Sequence, residues 1–213
     1  MTIILATKRE KFAVLAADQM HGGGRPGCRP KVVLHPSLPL AFAVGGLMSF
    51  RVGSRDDDAT THVREFADTI TYRGELVVSE IAERMRVLFQ PSMDQAKDSM
   101  HVFIALVKDG KADAGAQRVT APGIGSPPTK FIDDRYYAYI PPMLETFYKN
   151  GRHLLAMHDE AVTAEREVAR RAREAIDAGI TEERVLDADG KNKVIGGIPD
   201  VVLVNAAGAS PLI

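Results

Sequence analysis

The chain has no tryptophan and a single cysteine, Cys28. One thiol cannot close a disulfide within the chain or build a multi-cysteine zinc site. Charge bias is also missing: 27 Lys and Arg stand against 28 Asp and Glu, a formal net charge of -1. That balance gives no general electrostatic case for nucleic acid or an anionic membrane as partner. No apolar run approaches the roughly 20 residues that a membrane helix needs. A secretory leader is not expected, because the opening apolar run Ile3–Ala6 is cut short by Lys8-Arg9-Glu10-Lys11. These features point to a cytoplasmic protein. What is present is ordinary: 213 residues, 45% hydrophobic and 26% charged. That suffices for one domain with a full core, and with no internal repeat or low-complexity linker a single domain over residues 1–213 is expected.

The first stretch reads as a hairpin, with strands Thr2–Thr7 and Phe12–Ala17 around a polar turn at Lys8–Lys11. Both strands are nearly continuous in apolar residues, so both faces should be buried. The segment His21–Pro30, "HGGGRPGCRP", is a loop by its glycine and proline content. Strand then resumes in "KVVLHPSLPLAFAVGG", with a turn at Pro36–Pro39 and a buried run Leu40–Val44. "SRDDDATTHVREFADTI" predicts a helix through Val63, Phe66, Ala67 and Ile70. "VVSEIAERMRVLF" predicts a second, with Ser79 as cap and Pro91 as stop. "HVFIALVKDGK" is a strand turning at Asp109-Gly110, with "AGAQRV" returning. "MLETFYKNGRHLLAM" and "DEAVTAEREVARRAREAID" predict two more helices, and "GGIPDVVLVNAAG" a last strand. Strand groups alternating with helix pairs imply an α+β layered fold with sheets inside.

Thr2 leads straight into an apolar strand, where most termini are loose and polar. Its hydroxyl is a weak nucleophile without a nearby base. If Met1 is removed, Thr2 supplies that base itself: a free α-amine titrates near 7.7–8.0 and can take and return the hydroxyl proton. A hairpin of this length brings Asp18, at the end of the second strand, back beside Thr2. Lys31 opens the next strand. A lysine near the hydroxyl stabilises a developing alkoxide, and a carboxylate keeps that lysine charged and in place.

The segments "TIILATKREKFAVLAAD", "RPK" and "LAFAVGG" resemble the opening of proteasome β-type subunits and the bacterial HslV peptidase. Among these branches the chain looks most like the beta-proteobacterial proteasome homologue. The match covers Thr2–Gly46 and resumes more weakly at "VFIALVKDG" and "GGIPDVVLVNAAG". The resemblance implies a four-layer αββα sandwich of the N-terminal nucleophile hydrolases. It implies Thr2 as nucleophile with Asp18 and Lys31 as partners, acting as a threonine-type endopeptidase with no metal or organic cofactor. It also implies a homo-oligomer of two stacked rings, with seven-fold symmetry favoured, cleaving peptide or unfolded protein fed by an ATPase unfoldase.

Three positions depart from the family pattern. The glycine of the oxyanion strand falls at Phe42, which would narrow the site. Pro141-Pro142 stand where a Ser-Gly pair supports the terminal amine, and "GIGSPP" offers Ser126 earlier in the chain. Asn192 and Ile195 occupy the slots of an aspartate and a serine, and Asp187 or Asp189 would serve only in a rearranged loop. These gaps keep open a ring-forming subunit without catalysis, and a small-molecule amidase is a third reading because fold does not fix substrate. Met20, His21 and Met48 are the expected lining of an apolar substrate pocket. Other motifs carry less. "HGGG" lacks a G-x-S-x-G elbow, "GIGS" lacks a following lysine, and His153 and His158 are off metal-ligand spacing.

Overall fold

Strands β1 (Ile4–Lys8) and β2 (Ala13–Ala17) form the expected hairpin, paired Ile4 with Ala17 through Lys8 with Ala13. In this computed structural model the residues described are 2–19, 30–46, 49–52, 55–121, 130–131, 136–140, 144–150, 164–186 and 195–212. The other strands are β3 (Val32–Leu34), β4 (Leu40–Gly46), β5 (Ser49–Val52), β6 (Arg55–Asp58), β7 (Ser99–Lys108) and β8 (Lys111–Thr120). They continue with β9 (Lys130–Phe131), β10 (Tyr136–Tyr139), β11 (Asp200–Asn205) and β12 (Gly208–Pro211). The helices are α1 (Ala59–Ala67), α2 (Val78–Ala96), α3 (Glu145–Asn150) and α4 (Glu165–Leu186). The architecture is mixed α+β. One five-stranded sheet runs β10-β1-β2-β11-β12 and a second runs β3-β4-β7-β8-β9, with β5-β6 as a separate hairpin. Every pairing among these strands is antiparallel.

Burial explains the continuous apolar runs. Ile3 and Leu5 point into a cluster with Tyr148, Ala172 and Ile176 of α3 and α4. Their neighbours Ile4 and Ala6 point the other way, into a cluster with Ala41, Ala43, Phe103 and Ala105 of the second sheet. Successive side chains on a strand alternate faces, so both faces of β1 are in the core. The alanines between the sheets take little space and let the two approach. A third cluster holds α1 and α2 on the second sheet through Phe42, Val63, Ile81, Met85, Phe89 and Ile104. The turn at Asp109-Gly110 has positive φ at both residues, 51° and 75°. Asp-Gly favours that conformation, and it matches the twist of a two-residue hairpin.

Several element boundaries differ from expectation. The helix predicted from Ser54 begins at Ala59, because Asp58 caps it by accepting the Thr60 N–H at 2.9 Å. Residues 55–58 before it pair as β6 instead. Ser79 is not a cap: the N-cap of α2 is Val77, with no side-chain hydrogen bond. Pro91 does not stop α2, which continues to Ala96 and ends on Lys97 in the left-handed region. Proline removes the bond to the carbonyl four residues back. That residue is Val87, 59% exposed, so water can serve the freed carbonyl while buried Phe89 and Met93 hold the helix on the sheet. The last predicted helix runs nine residues past Asp177, because Ile180 and Glu183 continue the buried face of Ile176.

Candidate active site

The register of β1 and β2 decides where the two ends of the hairpin lie. Ile4 sits opposite Ala17, and one step further the Asp18 N–H donates to the Ile3 carbonyl at 3.2 Å. Thr2 and Asp18 therefore meet just beyond the hairpin's open end. Lys31 stands one residue before β3, in the other sheet. All three residues are fully buried, at 0% exposure.

Asp18 is the hub. Its Oδ1 accepts the Thr2 hydroxyl at 2.7 Å and the Ile3 N–H at 2.8 Å. Lys31 Nζ lies 3.0 Å from each carboxylate oxygen and also touches Thr2 Oγ1. Asp18 Oδ2 accepts a further N–H, from Gly196, at 3.2 Å. Five donor contacts converge on one carboxylate, which compensates for taking a charge out of water. The lysine main chain is fixed as well. Its N–H donates to Asp200 Oδ2 at 2.9 Å, and its carbonyl accepts from Val44 at 3.2 Å. Asp200 also takes Gln19 Nε2 at 2.6 Å, so one carboxylate ties the residue after Asp18 to the start of β3.

The departures predicted from the sequence resolve differently. Phe42 is not beside Thr2. It lies in the helix-covered core, edge-on to Phe66 with ring centroids 6.1 Å apart. The residue against the threonine is Gly45, three positions on. A Cβ there would lie 2.5 Å from Thr2 Cγ2 and 2.9 Å from Ile4 Cδ1. Only glycine lets this backbone come so close to the hydroxyl-bearing side chain. Beside it, His101 stacks on Tyr139 at 4.2 Å. Burial chiefly, and then the Arg118 charge, push His101 down to about 4. Burial raises Tyr139. This flank of the threonine is thus a neutral aromatic pair at pH 7. Behind Asp18, Tyr148 donates to the Ala175 carbonyl at 2.6 Å, and burial together with the Asp18 charge drives its phenol well above the ordinary range.

Ile195, in the slot of a family serine, is core: it is fully buried with the α3–α4 cluster. Its N–H donates to Glu183, 3.1 Å to Oε1 and 3.3 Å to Oε2. Sequence reasoning marks Gly45 and Gly196 only as glycines of the segments that carry the resemblance, and it does not reach Glu183 or Asp200. Glu183 leaves no trace in the sequence, because the predicted helix ends at Asp177 and only the structure carries it on to Leu186. Met20, His21, Cys28, Met48, Ser126, Pro141, Pro142, His153, His158, Asp187, Asp189 and Asn192 lie outside the described residues. Among the described residues no group of three or more His, Cys, Asp and Glu is arranged to hold a metal ion. None of their helices is long and apolar enough to cross a membrane. A surface cavity of about 280 Å³ beside Gln19, Pro30 and Asp200 is lined by none of the three triad residues. No protein-family model matches the chain, and no curated protein matches it.

Proposed function

We propose that the chain is an N-terminal threonine peptidase of the proteasome β-subunit and HslV type. The observation that carries this reading is the buried contact of one hydroxyl, one ammonium and one carboxylate, Thr2–Lys31–Asp18. Such a cluster is costly to bury for stability alone. The apolar layers, helices on the outer face of each sheet and a third cluster between the sheets, support the four-layer αββα sandwich.

With Met1 removed, the Thr2 hydroxyl attacks a peptide carbonyl carbon and its proton passes to the new α-amine. Lys31 stabilises the oxygen as it loses that proton, and Asp18 holds Lys31 charged and aimed. The tetrahedral intermediate collapses, the C–N bond breaks, and the α-amine returns the proton to the leaving amine. Water then attacks the threonine ester, and the acid product leaves. The close backbone at Gly45 suits it to face the developing oxyanion. The reading includes a cytoplasmic double ring of this chain acting on peptide or unfolded protein supplied by an ATPase unfoldase.

The test pairs mass spectrometry with two variants. Mature protein should begin at Thr2. Thr2→Ala should cut hydrolysis of fluorogenic peptides by at least about 10³-fold, since nucleophile loss removes the covalent route. Thr2→Ser should keep turnover and labelling by threonine-directed electrophiles. Full activity in Thr2→Ala would overturn the reading. Ile195, a core aliphatic where the family places serine, favours the second reading of a ring-forming subunit without catalysis. Retention of Met1 on all molecules, with rings still formed, is its signature. Turnover of small amides but not peptides would point to an amidase instead.

A further inference from the structure

Glu183 is placed against two physical preferences. It is 2% exposed, and it lies in the last turn of α4. Burial penalises a carboxylate, and the negative end of a helix penalises it again. Part of the compensation comes from the turn that follows. Both Glu183 oxygens face the Ile195 N–H, and the very next N–H, that of Gly196, is held by Asp18 Oδ2. The Gly196 carbonyl then accepts the Gln19 N–H at 2.9 Å. Two successive amides thus point at two buried carboxylates. Gly197, with φ at 84°, follows and lets the chain leave the turn in the left-handed region that glycine tolerates. Ile195 pins the other side of the turn in the core.

We propose that Glu183 is the positioning residue for Asp18, orienting the Ile195–Gly196 amides so that Gly196 N–H meets the Asp18 carboxylate. Glu183 reaches Asp18 through this backbone, so it acts through Asp18 rather than on Thr2 or Lys31. It supplies from α4 a fixing point for the site in a chain whose Asn192 and Ile195 replace the family's aspartate and serine. An amide donated to a carboxylate favours its charged form. Loss of Glu183 should release the Gly196 amide from the Asp18 carboxylate.

The catalytic consequence rests on the threonine-peptidase reading, but the structural coupling does not. The experiment uses the full chain with Glu183→Ala and Glu183→Gln. Hydrogen exchange follows the 195–197 amides. Glu183→Ala should speed exchange at 195–196 by about tenfold or more, with β1, β2 and β11 protection unchanged. Glu183→Gln keeps an acceptor for Ile195 N–H and should restore the slow exchange. Peptide hydrolysis should fall in Glu183→Ala through kcat at constant KM, by about 10²-fold as for a misplaced group. Unchanged exchange at 195–196 in Glu183→Ala, or a Gln variant no better than Ala, would overturn the proposal. Faster exchange at 195–196 without any Thr2-dependent turnover in the parent would leave the coupling standing and defeat the peptidase reading alone.

Discussion

A lysine with no exposed surface has few ways to stay charged, and Lys31 uses both oxygens of Asp18 to do so. The pair is legible in the sequence because each member sits at a strand end, where a hairpin of known length returns the chain. Their partners are not legible. Gly45 and Gly196 act through backbone, which one sequence does not distinguish from any other glycine. Asp200 is 169 residues from the Lys31 amide that it holds, and only the packing of the two sheets against each other brings the two together. Glu183 reaches the site only through helix packing. His101 yields a prediction of its own. The unfolded chain takes up a proton at this histidine near pH 6.5, whereas the folded chain refuses it until about 4. Between those values the unfolded state binds more protons, so stability rises with pH there and is lost as pH falls from 6.5 to 4. The loss from this group is at most about 3 kcal/mol. Urea denaturation at pH 7 and pH 4 should show His101→Gln losing less stability than the parent. Identical losses would mean that the ring is not held neutral.

At the scale of elements, pattern reading succeeds where a continuous apolar run decides the structure and fails where pairing does. The buried runs of β1, β2 and β4 stand at their expected places. Strand β10 has no such signal: "YYAY" shows no alternation and sits beside prolines, and it is a strand because it completes the edge of β1. The strand β6 reads as helix in the sequence because its acidic residues resemble a capping run. Helix α4 carries Gly179 inside it. Replacing an interior helix glycine by alanine ordinarily stabilises by about 1 kcal/mol. At Gly179 the new Cβ would fall on the Tyr148 hydroxyl and within 2.6 Å of Ile3 Cδ1. Tyr148 is fixed by its bond to Ala175, so the clash cannot be relieved cheaply. Gly179→Ala should therefore destabilise, by about 1–3 kcal/mol as for an overpacked core. A higher melting temperature for the variant would show that α4 stands further from β1 than described.

The whole molecule buries both faces of β1, β2 and β4, leaving helices and sheet margins to meet solvent or other copies. Layering of this kind follows from composition: long apolar strands need cover on two sides, and the amphipathic helices provide it. Association between chains is a different matter, since interface residues look like surface residues in a single sequence. Val87 and Leu88 are neighbours on α2, 59% and 40% exposed, away from the face that α2 buries. Under the proposed reading the chain forms two stacked rings, and seven-fold symmetry would give about 320 kDa from the 23.1 kDa chain. Light scattering at micromolar concentration should report a closed assembly of that order for the parent. Thr2→Ala should assemble equally well, because Thr2 is enclosed within its own subunit and removal of its hydroxyl leaves the outer surface unchanged. A monomer in both would remove the chamber from the proposal while leaving the triad chemistry open to test. Rings in the parent alone would mean instead that the threonine is cut free before assembly and that self-processing drives it.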